Sequence, residues 1–105
     1  MSRPGTFTVR SNSTGALVLT GELDLGTIQQ LQDKIDDIVV PGQPIILDLA
    51  QLTFLDTSAV HCFVRTFEAT GRPVVLLNAS RSLRRILGYM TQQPEAWVFD
   101  GVRTA

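Results

Sequence analysis

The sequence predicts an α/β protein with a mixed β-sheet covered by helices, and two observations lead to this prediction. Apolar residues recur at every second position in some segments and at every third or fourth position in others, so both strands and helices are expected. After a hairpin-like start, the two patterns alternate in the order β-β-α-β-α-β-α-β. Strands separated by helices pair in parallel, whereas the strands of a hairpin pair antiparallel, so the sheet is expected to be mixed.

Two short strands are predicted at the start of the chain. Phe7 and Val9 alternate with polar neighbours, and residues 16–19 form a second run that is compatible with β-structure. The residues between them, 11–15, have the turn-forming sequence Ser-Asn-Ser-Thr-Gly. This arrangement predicts an N-terminal hairpin.

The first helix is predicted from four apolar residues at spacings of three and four, the period of one helix face. These residues are Ile28, Leu31, Ile35 and Ile38. Thr27 and Gln30 match a capping box, in which each side chain bonds a free N–H group of the first turn. Residues 41–42, Pro-Gly, are expected to stop the helix.

A central strand and a second helix are predicted next. Residues 44–49 are almost continuously apolar, as in a strand covered on both faces, and Asp48 is expected to break the run. The helix is expected to open around residues 56–58 and to end at Gly71. Its apolar stripe is formed by Val60, Phe63, Val64 and Phe67.

A strand, a helix and a strand complete the pattern. Residues 73–77 predict a strand, residues 97–99 predict a short last strand, and Ser80 can cap the helix between them. The inward residues of this helix are expected to be Leu83, Ile86, Leu87 and Met90. Its outward residues are expected to be Arg81, Arg84 and Arg85.

Length and charge exclude several classes of protein. The 105 residues match the size of one folded domain, so residues 1–105 are expected to form a single domain. A net charge of −1 provides no electrostatic footprint for nucleic acid. The apolar runs are far shorter than the ~20 residues of a membrane helix, and the start of the chain lacks the apolar core of a secretory signal. We therefore expect a cytoplasmic protein that neither binds nucleic acid nor inserts into a membrane.

Three motifs carry the functional information. Residues 47–60 have the sequence Leu-Asp-Leu-Ala-Gln-Leu-Thr-Phe-Leu-Asp-Thr-Ser-Ala-Val and are interpreted as a strand, a short loop and a helix start. Residues 21–24 are Gly-Glu-Leu-Asp, and residues 82–87 are Ser-Leu-Arg-Arg-Ile-Leu. These motifs resemble those of the STAS domains, and specifically those of the bacterial anti-sigma-factor antagonists. The resemblance implies a STAS-type mixed sheet.

The same resemblance implies a binding protein rather than an enzyme, with no cofactor and no metal site. The unphosphorylated form of such an antagonist captures an anti-sigma factor that is also an ATP-dependent Ser/Thr kinase. The kinase then phosphorylates the residue after the loop aspartate, here Thr57, with Ser58 as the second choice. A metal-dependent phosphatase of the PP2C type reverses the modification. The partner-binding residues expected from the motifs are Asp24, Asp56, Thr57, Ser58 and Ala59.

Helix chemistry supports the same position independently of the resemblance. A hydroxyl in the first turn lies near free N–H groups and the positive end of the helix dipole, where a phosphate of about −1.5 to −2 charges is tolerated. Asp56, Thr57 and Ser58 are also typical of a plain N-cap, and this second interpretation stays open. His61 and Arg65 follow Thr57 at one-turn steps, as a polar stripe that is either solvated helix surface or partner-binding face.

Two residues depart from the pattern of the family. Thr57 replaces the more usual serine, and its β-branched side chain restricts rotation about χ1, so phosphoryl transfer is expected to be slower. Ala59 replaces the usual glycine and adds a methyl group where the backbone of a partner is expected to approach.

One alternative function stays open, and two others fit poorly. An enzyme lacks support because His61 and Cys62 are neighbours on a helix and diverge by about 100°, which leaves no nucleophile beside a base. A phospho-aspartate receiver needs a lysine after its fourth strand, whereas the sole lysine, Lys34, lies in the first helix. The open alternative is a STAS subunit that docks onto the ATPase of a lipid-transporting ABC system, where the same Asp-Thr pair opens the second helix.

Overall fold

The computed structural model describes residues 7–90 and 93–100, which form one five-stranded sheet and three α-helices. The strands are β1 (Phe7–Ser11), β2 (Leu17–Leu23), β3 (Ile46–Leu55), β4 (Val74–Leu77) and β5 (Trp97–Asp100). The helices are α1 (Ile28–Ile38), α2 (Thr57–Thr70) and α3 (Arg81–Met90), and a single 3₁₀ turn, Pro94–Ala96, precedes β5. The predicted order of elements and the α/β class are confirmed.

The five strands lie side by side in chain order, β1-β2-β3-β4-β5. β1 and β2 pair antiparallel as a hairpin, and every other neighbouring pair is parallel, which confirms the mixed sheet. Crossovers between parallel strands are right-handed, so three crossovers that step in the same direction place their helices on one face. Along β3, Leu47 and Leu49 are fully buried under that face, whereas Ile46 and Asp48 on the other face are partly exposed.

The core lies between the sheet and the helices. Its largest fully buried side chains are Phe63, Leu17, Leu19, Leu23, Leu31, Ile35, Leu47, Leu49, Leu55, Leu76, Leu83 and Leu87. Phe63 of α2 meets Trp97 of β5 edge to face, with ring centroids 5.9 Å apart, a geometry that aromatic pairs favour. None of the helices in residues 7–90 and 93–100 is long and apolar enough to cross a membrane.

Two strands are longer than the sequence predicts. β2 includes residues 20–23, so the Gly-Glu-Leu part of the second motif is strand. β3 continues past Asp48 to Leu55, and only Asp56 separates it from α2, so the predicted break and loop are wrong. The pairing of β2 with β3 shifts register twice, between Val18 and Thr20 and again at residues 21–22. Such bulges interrupt the two-residue alternation by which strands are recognised in a sequence.

The predicted capping box at the start of α1 is wrong. The Thr27 side chain makes no cap hydrogen bond to its helix. Its hydroxyl instead donates to the Glu22 carbonyl at 2.8 Å and accepts from the Asp24 N–H at 3.0 Å. Thr27 is buried under the end of β2, and therefore it stabilises the β2–α1 turn rather than the helix start.

The predicted ends of α2 and the predicted cap of α3 are confirmed. Asp56 is the N-cap of α2, and Gly71 ends it in the left-handed conformation at φ 74°, where glycine carries no Cβ penalty. The Ser80 hydroxyl accepts from the Leu83 N–H at 3.1 Å. Arg84, predicted to face outward, is instead partly buried, and its guanidinium lies 5.8 Å from the centroid of the Phe99 ring.

Candidate functional site

Thr57 is the first residue of α2 and follows the carboxyl end of β3 with one residue between. It is exposed, and no hydrogen bond joins its hydroxyl to any other residue in the described part of the chain. The backbone N–H groups of a first helical turn have no partners within the helix, and the helix dipole is positive there. Thr57 therefore presents a free nucleophilic oxygen at a position that favours negative charge.

The neighbouring hydroxyl of Ser58 is in a different state. Its Oγ donates to the Asp56 Oδ1 at 2.5 Å, and its backbone N–H donates to the same oxygen at 2.9 Å. Ser58 is also half-buried. Phosphorylation of Ser58 would have to break a short, charge-assisted hydrogen bond, whereas phosphorylation of Thr57 breaks none.

Asp56 connects α2 to the β2–α1 turn. Its second carboxylate oxygen, Oδ2, accepts from the backbone N–H of Leu25 at 3.2 Å. Its own backbone N–H donates to the Leu23 carbonyl at 3.2 Å. One aspartate therefore caps the helix, holds the Ser58 hydroxyl and fixes the turn that carries Asp24, so the N-cap interpretation is confirmed for Asp56.

Asp24 mainly builds its own turn. Its Oδ1 accepts from the Gly26 N–H at 3.0 Å and lies 3.2 Å from the Thr27 hydroxyl, whose one proton it shares with the nearer Glu22 carbonyl. Its carbonyl accepts from the Ile28 N–H at 2.8 Å. The structure therefore brings Asp24 and Asp56 to the same end of the sheet. Leu25 connects them, because it follows Asp24 in the chain and its backbone N–H is bonded to Asp56.

A shallow groove of about 150 Å³ runs between α1 and α2 beside this end of the sheet. Its lining residues are Ile28, Gln29, Gln32, Ser58, His61, Cys62 and Arg65. His61 and Arg65 are exposed and lie one turn apart on α2. With Ser58, three of the predicted site residues line this groove. A second cavity of about 290 Å³, between α2 and the end of α3, also contains His61.

Ala59 does not belong to the exposed part of the site. It is the third residue of α2 and has no solvent-exposed surface, because it packs into the core. The expectation that its methyl group meets a partner's backbone is therefore wrong. The methyl group contributes to the packing beneath the helix start instead.

The only cysteine of the chain is not a reactive thiol in this structure. Cys62 is 2 % exposed, and burial raises the pKa of its thiol to about 11, because an apolar surrounding disfavours the thiolate. His61 next to it is exposed, so the two side chains differ in their access to solvent. Within residues 7–90 and 93–100, no group of three or more His, Cys, Asp or Glu side chains could hold a metal ion.

Sequence reasoning missed Leu25 and the two glutamines of the groove, Gln29 and Gln32. Leu25 is 80 % exposed in the β2–α1 turn. Its signal in the sequence is weak, because a single apolar residue outside the helical period does not indicate whether it is buried. The glutamines lie on α1 one turn apart, and only the packing of α1 beside α2 places them opposite His61.

The fold and this site define the class of protein. The chain belongs to the STAS domain family, whose model matches residues 8–105. No curated protein matches the chain in sequence.

The solved structures that are similar include three of anti-sigma-factor antagonists. One from Mycobacterium paratuberculosis has a TM-score of 0.72 over 97 % of this chain and 92 % of that chain, at 19 % identity, a likeness of fold. The antagonist SpoIIAA in its unphosphorylated form has a TM-score of 0.57 at 26 % identity, over 91 % of this chain and 89 % of that chain. The Bacillus cell fate determinant SpoIIAA in its phosphorylated form has a TM-score of 0.55 at 25 % identity, over 89 % of each chain.

Proposed function

We propose that this protein is an anti-sigma-factor antagonist that works by partner switching in the cytoplasm. In its unphosphorylated state it binds an anti-sigma factor that is also a Ser/Thr kinase. Phosphorylation of Thr57 releases it, and a metal-dependent phosphatase of the PP2C type restores the binding form. The protein acts by binding and carries out no catalysis of its own, so ATP is used by the kinase.

The observation that carries the proposal is the contrast between two adjacent hydroxyls. Thr57 occupies the position of the family's phosphate acceptor, and it is exposed with its oxygen free of hydrogen bonds to the described residues. Ser58, the second choice, has its hydroxyl bound to the carboxylate of Asp56. Access and hydrogen bonding therefore favour Thr57 as the acceptor.

Phosphorylation at this position changes the charge of the surface without requiring the fold to change. A phosphate adds about −1.5 to −2 charges at the end of α2 where N–H groups and the helix dipole favour an anion. Asp24 and Asp56 already place two carboxylates at this end of the sheet. A partner surface that tolerates the neutral threonine then meets a strongly negative patch, so the phosphate opposes binding by repulsion and desolvation.

The proposed partner surface extends from Thr57 along the exposed side of α2. His61 and Arg65 contribute polar and cationic groups at one-turn steps, and the groove against α1 lies beside them. Asp24, Asp56 and Ser58 support this surface through the hydrogen bonds that hold the β2–α1 turn to the start of α2. SpoIIAA, an anti-sigma factor antagonist with solved structures in both unphosphorylated and phosphorylated forms, supports the proposal by similarity.

The proposal is tested with the full chain and an anti-sigma Ser/Thr kinase from the same organism. Calorimetry measures the affinity of the unmodified chain, and incubation with ATP followed by peptide fragmentation locates the phosphate. We expect binding by the unmodified chain, phosphate on Thr57, and loss of affinity after phosphorylation. Thr57→Ala is expected to remove the phosphate, whereas the matched variants Ser58→Ala and Thr8→Ala are expected to keep it.

Two results would contradict the proposal. Phosphate that maps to Ser58 and persists in Thr57→Ala would show that the acceptor is the wrong residue. Absence of both binding and phosphorylation, together with capture by the ATPase of an ABC transporter, would replace the signalling function with that of a transporter subunit.

A further inference from the structure

Leu25 is an apolar side chain that the fold does not use. It is 80 % exposed, whereas Asp24 and Thr27 of the same turn are held in hydrogen bonds and Leu23 before them lies in the core. A leucine that is exposed to this extent contributes little to the free energy of folding, because the hydrophobic term depends on the area removed from water. An isolated exposed leucine is common on protein surfaces, so its position decides whether it matters.

That position is fixed by hydrogen bonds on both sides of Leu25. The Asp24 carboxylate accepts from the Gly26 N–H at 3.0 Å, and the Asp24 carbonyl accepts from the Ile28 N–H at 2.8 Å. The Thr27 hydroxyl joins the turn to the end of β2 at 2.8 Å. The backbone that carries Leu25 is therefore preformed, and a partner that contacts it has less ordering entropy to overcome.

The Leu25 backbone is also bonded directly to the helix start that carries Thr57. Its N–H donates to Asp56 Oδ2 at 3.2 Å, across 31 residues of sequence. Asp56 is the residue before Thr57 and caps the same helix. The backbone that carries the exposed leucine and the helix start that carries Thr57 are therefore joined by one carboxylate.

We propose that Leu25 is the apolar anchor of the surface that binds the anti-sigma kinase, and that Asp56 is the positioning residue that holds this anchor beside Thr57. This proposal rests on the proposed function and adds one property of the partner. The anti-sigma kinase must offer an apolar pocket for Leu25, next to the part of its surface that contacts Thr57. With Leu25 buried in the partner and Thr57 nearby, one small surface provides both the affinity for the partner and the means of release. The leucine provides affinity through burial, and the phosphate opposes it through charge.

The first test is the affinity of the full-length Leu25→Ala chain for the anti-sigma kinase. Burying a leucine side chain changes a dissociation constant by at least about tenfold, so the variant is expected to bind about 10- to 100-fold more weakly. The matched control is Val40→Ala. Val40 is 47 % exposed after the end of α1, at the opposite end of the sheet, and its truncation is expected to leave the affinity unchanged. Both variants are expected to keep the thermal midpoint of the wild type.

The second test separates the positioning role of Asp56 from a purely structural one. Asp56→Ala is expected to speed hydrogen exchange at the Leu25 amide, since that N–H loses its acceptor, and to weaken binding. In the Leu25→Ala chain, Asp56→Ala is expected to reduce the affinity much less than it does in the wild type, because the anchor that Asp56 positions is already absent. Equal costs in the two backgrounds would show that Asp56 does not act through Leu25.

The outcomes distinguish this proposal from the one on which it rests. If the wild type binds no anti-sigma kinase, the proposed function fails and this inference fails with it. If the wild type binds and is released by phosphorylation of Thr57, but Leu25→Ala binds equally well, only the anchor is disproved. If sedimentation shows a wild-type dimer that Leu25→Ala dissociates, a second copy covers the leucine and the inference is overturned.

Discussion

Oδ1 of Asp56 accepts two hydrogen bonds from Ser58, one from the hydroxyl at 2.5 Å and one from the backbone N–H at 2.9 Å. The second of these caps helix α2. The hydroxyl of Thr57, the residue between Asp56 and Ser58 in the sequence, takes no part in this arrangement. Two chemically similar groups at adjacent positions are thus distinguished by hydrogen bonding: the Ser58 hydroxyl stabilises the start of α2, and the Thr57 hydroxyl makes no hydrogen bond to the described residues.

Removing the Asp56 carboxylate is expected to destabilise the protein. Asp56→Ala leaves the first turn of α2 without its cap and releases the β2–α1 turn, and the loss of an N-cap costs about 1 to 2 kcal/mol in the free energy of unfolding. Urea denaturation measures this change. Asp37→Ala is the matched control, because Asp37 is exposed on α1 and is expected to change the stability by less than about 0.5 kcal/mol. Equal stabilities of the two variants would contradict the role of Asp56 as a cap.

A negative charge at Thr57 is expected to leave the fold intact. In Thr57→Asp the new carboxylate meets the positive end of the α2 dipole, which favours it by about 0.3 to 1 kcal/mol, while repulsion from Asp56 acts in the opposite direction. The two effects offset each other, so the thermal midpoint is expected to stay close to that of the wild type. Thr8→Asp adds the same charge to β1, where aspartate is disfavoured in a strand by up to about 1 kcal/mol, and it is expected to melt earlier. A lower midpoint for Thr57→Asp than for Thr8→Asp would show that a negative charge at the start of α2 destabilises the fold.

Cys62 is expected to make the protein sensitive to alkali. The fold raises the pKa of the thiol from 9.0 to about 11, mainly by burial, so the folded state favours the protonated form. Below pH 9 the thiol is protonated in both the folded and the unfolded state, so its contribution to the free energy of unfolding is fully present. Between pH 9 and about 11 the unfolded chain releases the proton while the folded chain retains it, so the stability falls by roughly 2 to 3 kcal/mol.

Unfolding by urea at a series of alkaline pH values measures this loss, with Cys62→Ala as the comparison. The variant lacks the thiol, so its stability is expected to fall less steeply over the same range of pH. Parallel curves for the two proteins would assign the alkaline loss to other groups. The variant is also expected to be less stable at neutral pH, because it leaves a small cavity in the core.

The helices were more predictable than the strands. Asp56 and Gly71 act within one helical turn of their own positions, so their effects can be read from local sequence. β2 and β3 were predicted too short because their extensions depend on each other. Residues 20–23 pair with residues 51–55, about 30 positions away, and two register shifts remove the alternation that a sequence pattern can show.

The candidate site divides in the same way. The motif around residue 56 placed Thr57 at a helix start, because a strand, an acidic cap and an apolar stripe are all local features of the sequence. The burial of Ala59 was missed, since a small residue is compatible with either a surface or a core position. The role of Thr27 was also missed: its side chain bonds the end of β2 rather than its own helix.

By itself, the sequence determined the α/β class, the order of the elements and the position of Thr57 at the first turn of α2. Periodicity and caps decide these properties, and both act over a few residues. Only the tertiary structure decided that Asp56 bonds Leu25, that the Ser58 hydroxyl is occupied, and that α1 and α2 form a groove beside Thr57. These features depend on contacts between segments far apart in the chain, whose geometry is set by how the sheet and helices pack, and no local pattern encodes that packing.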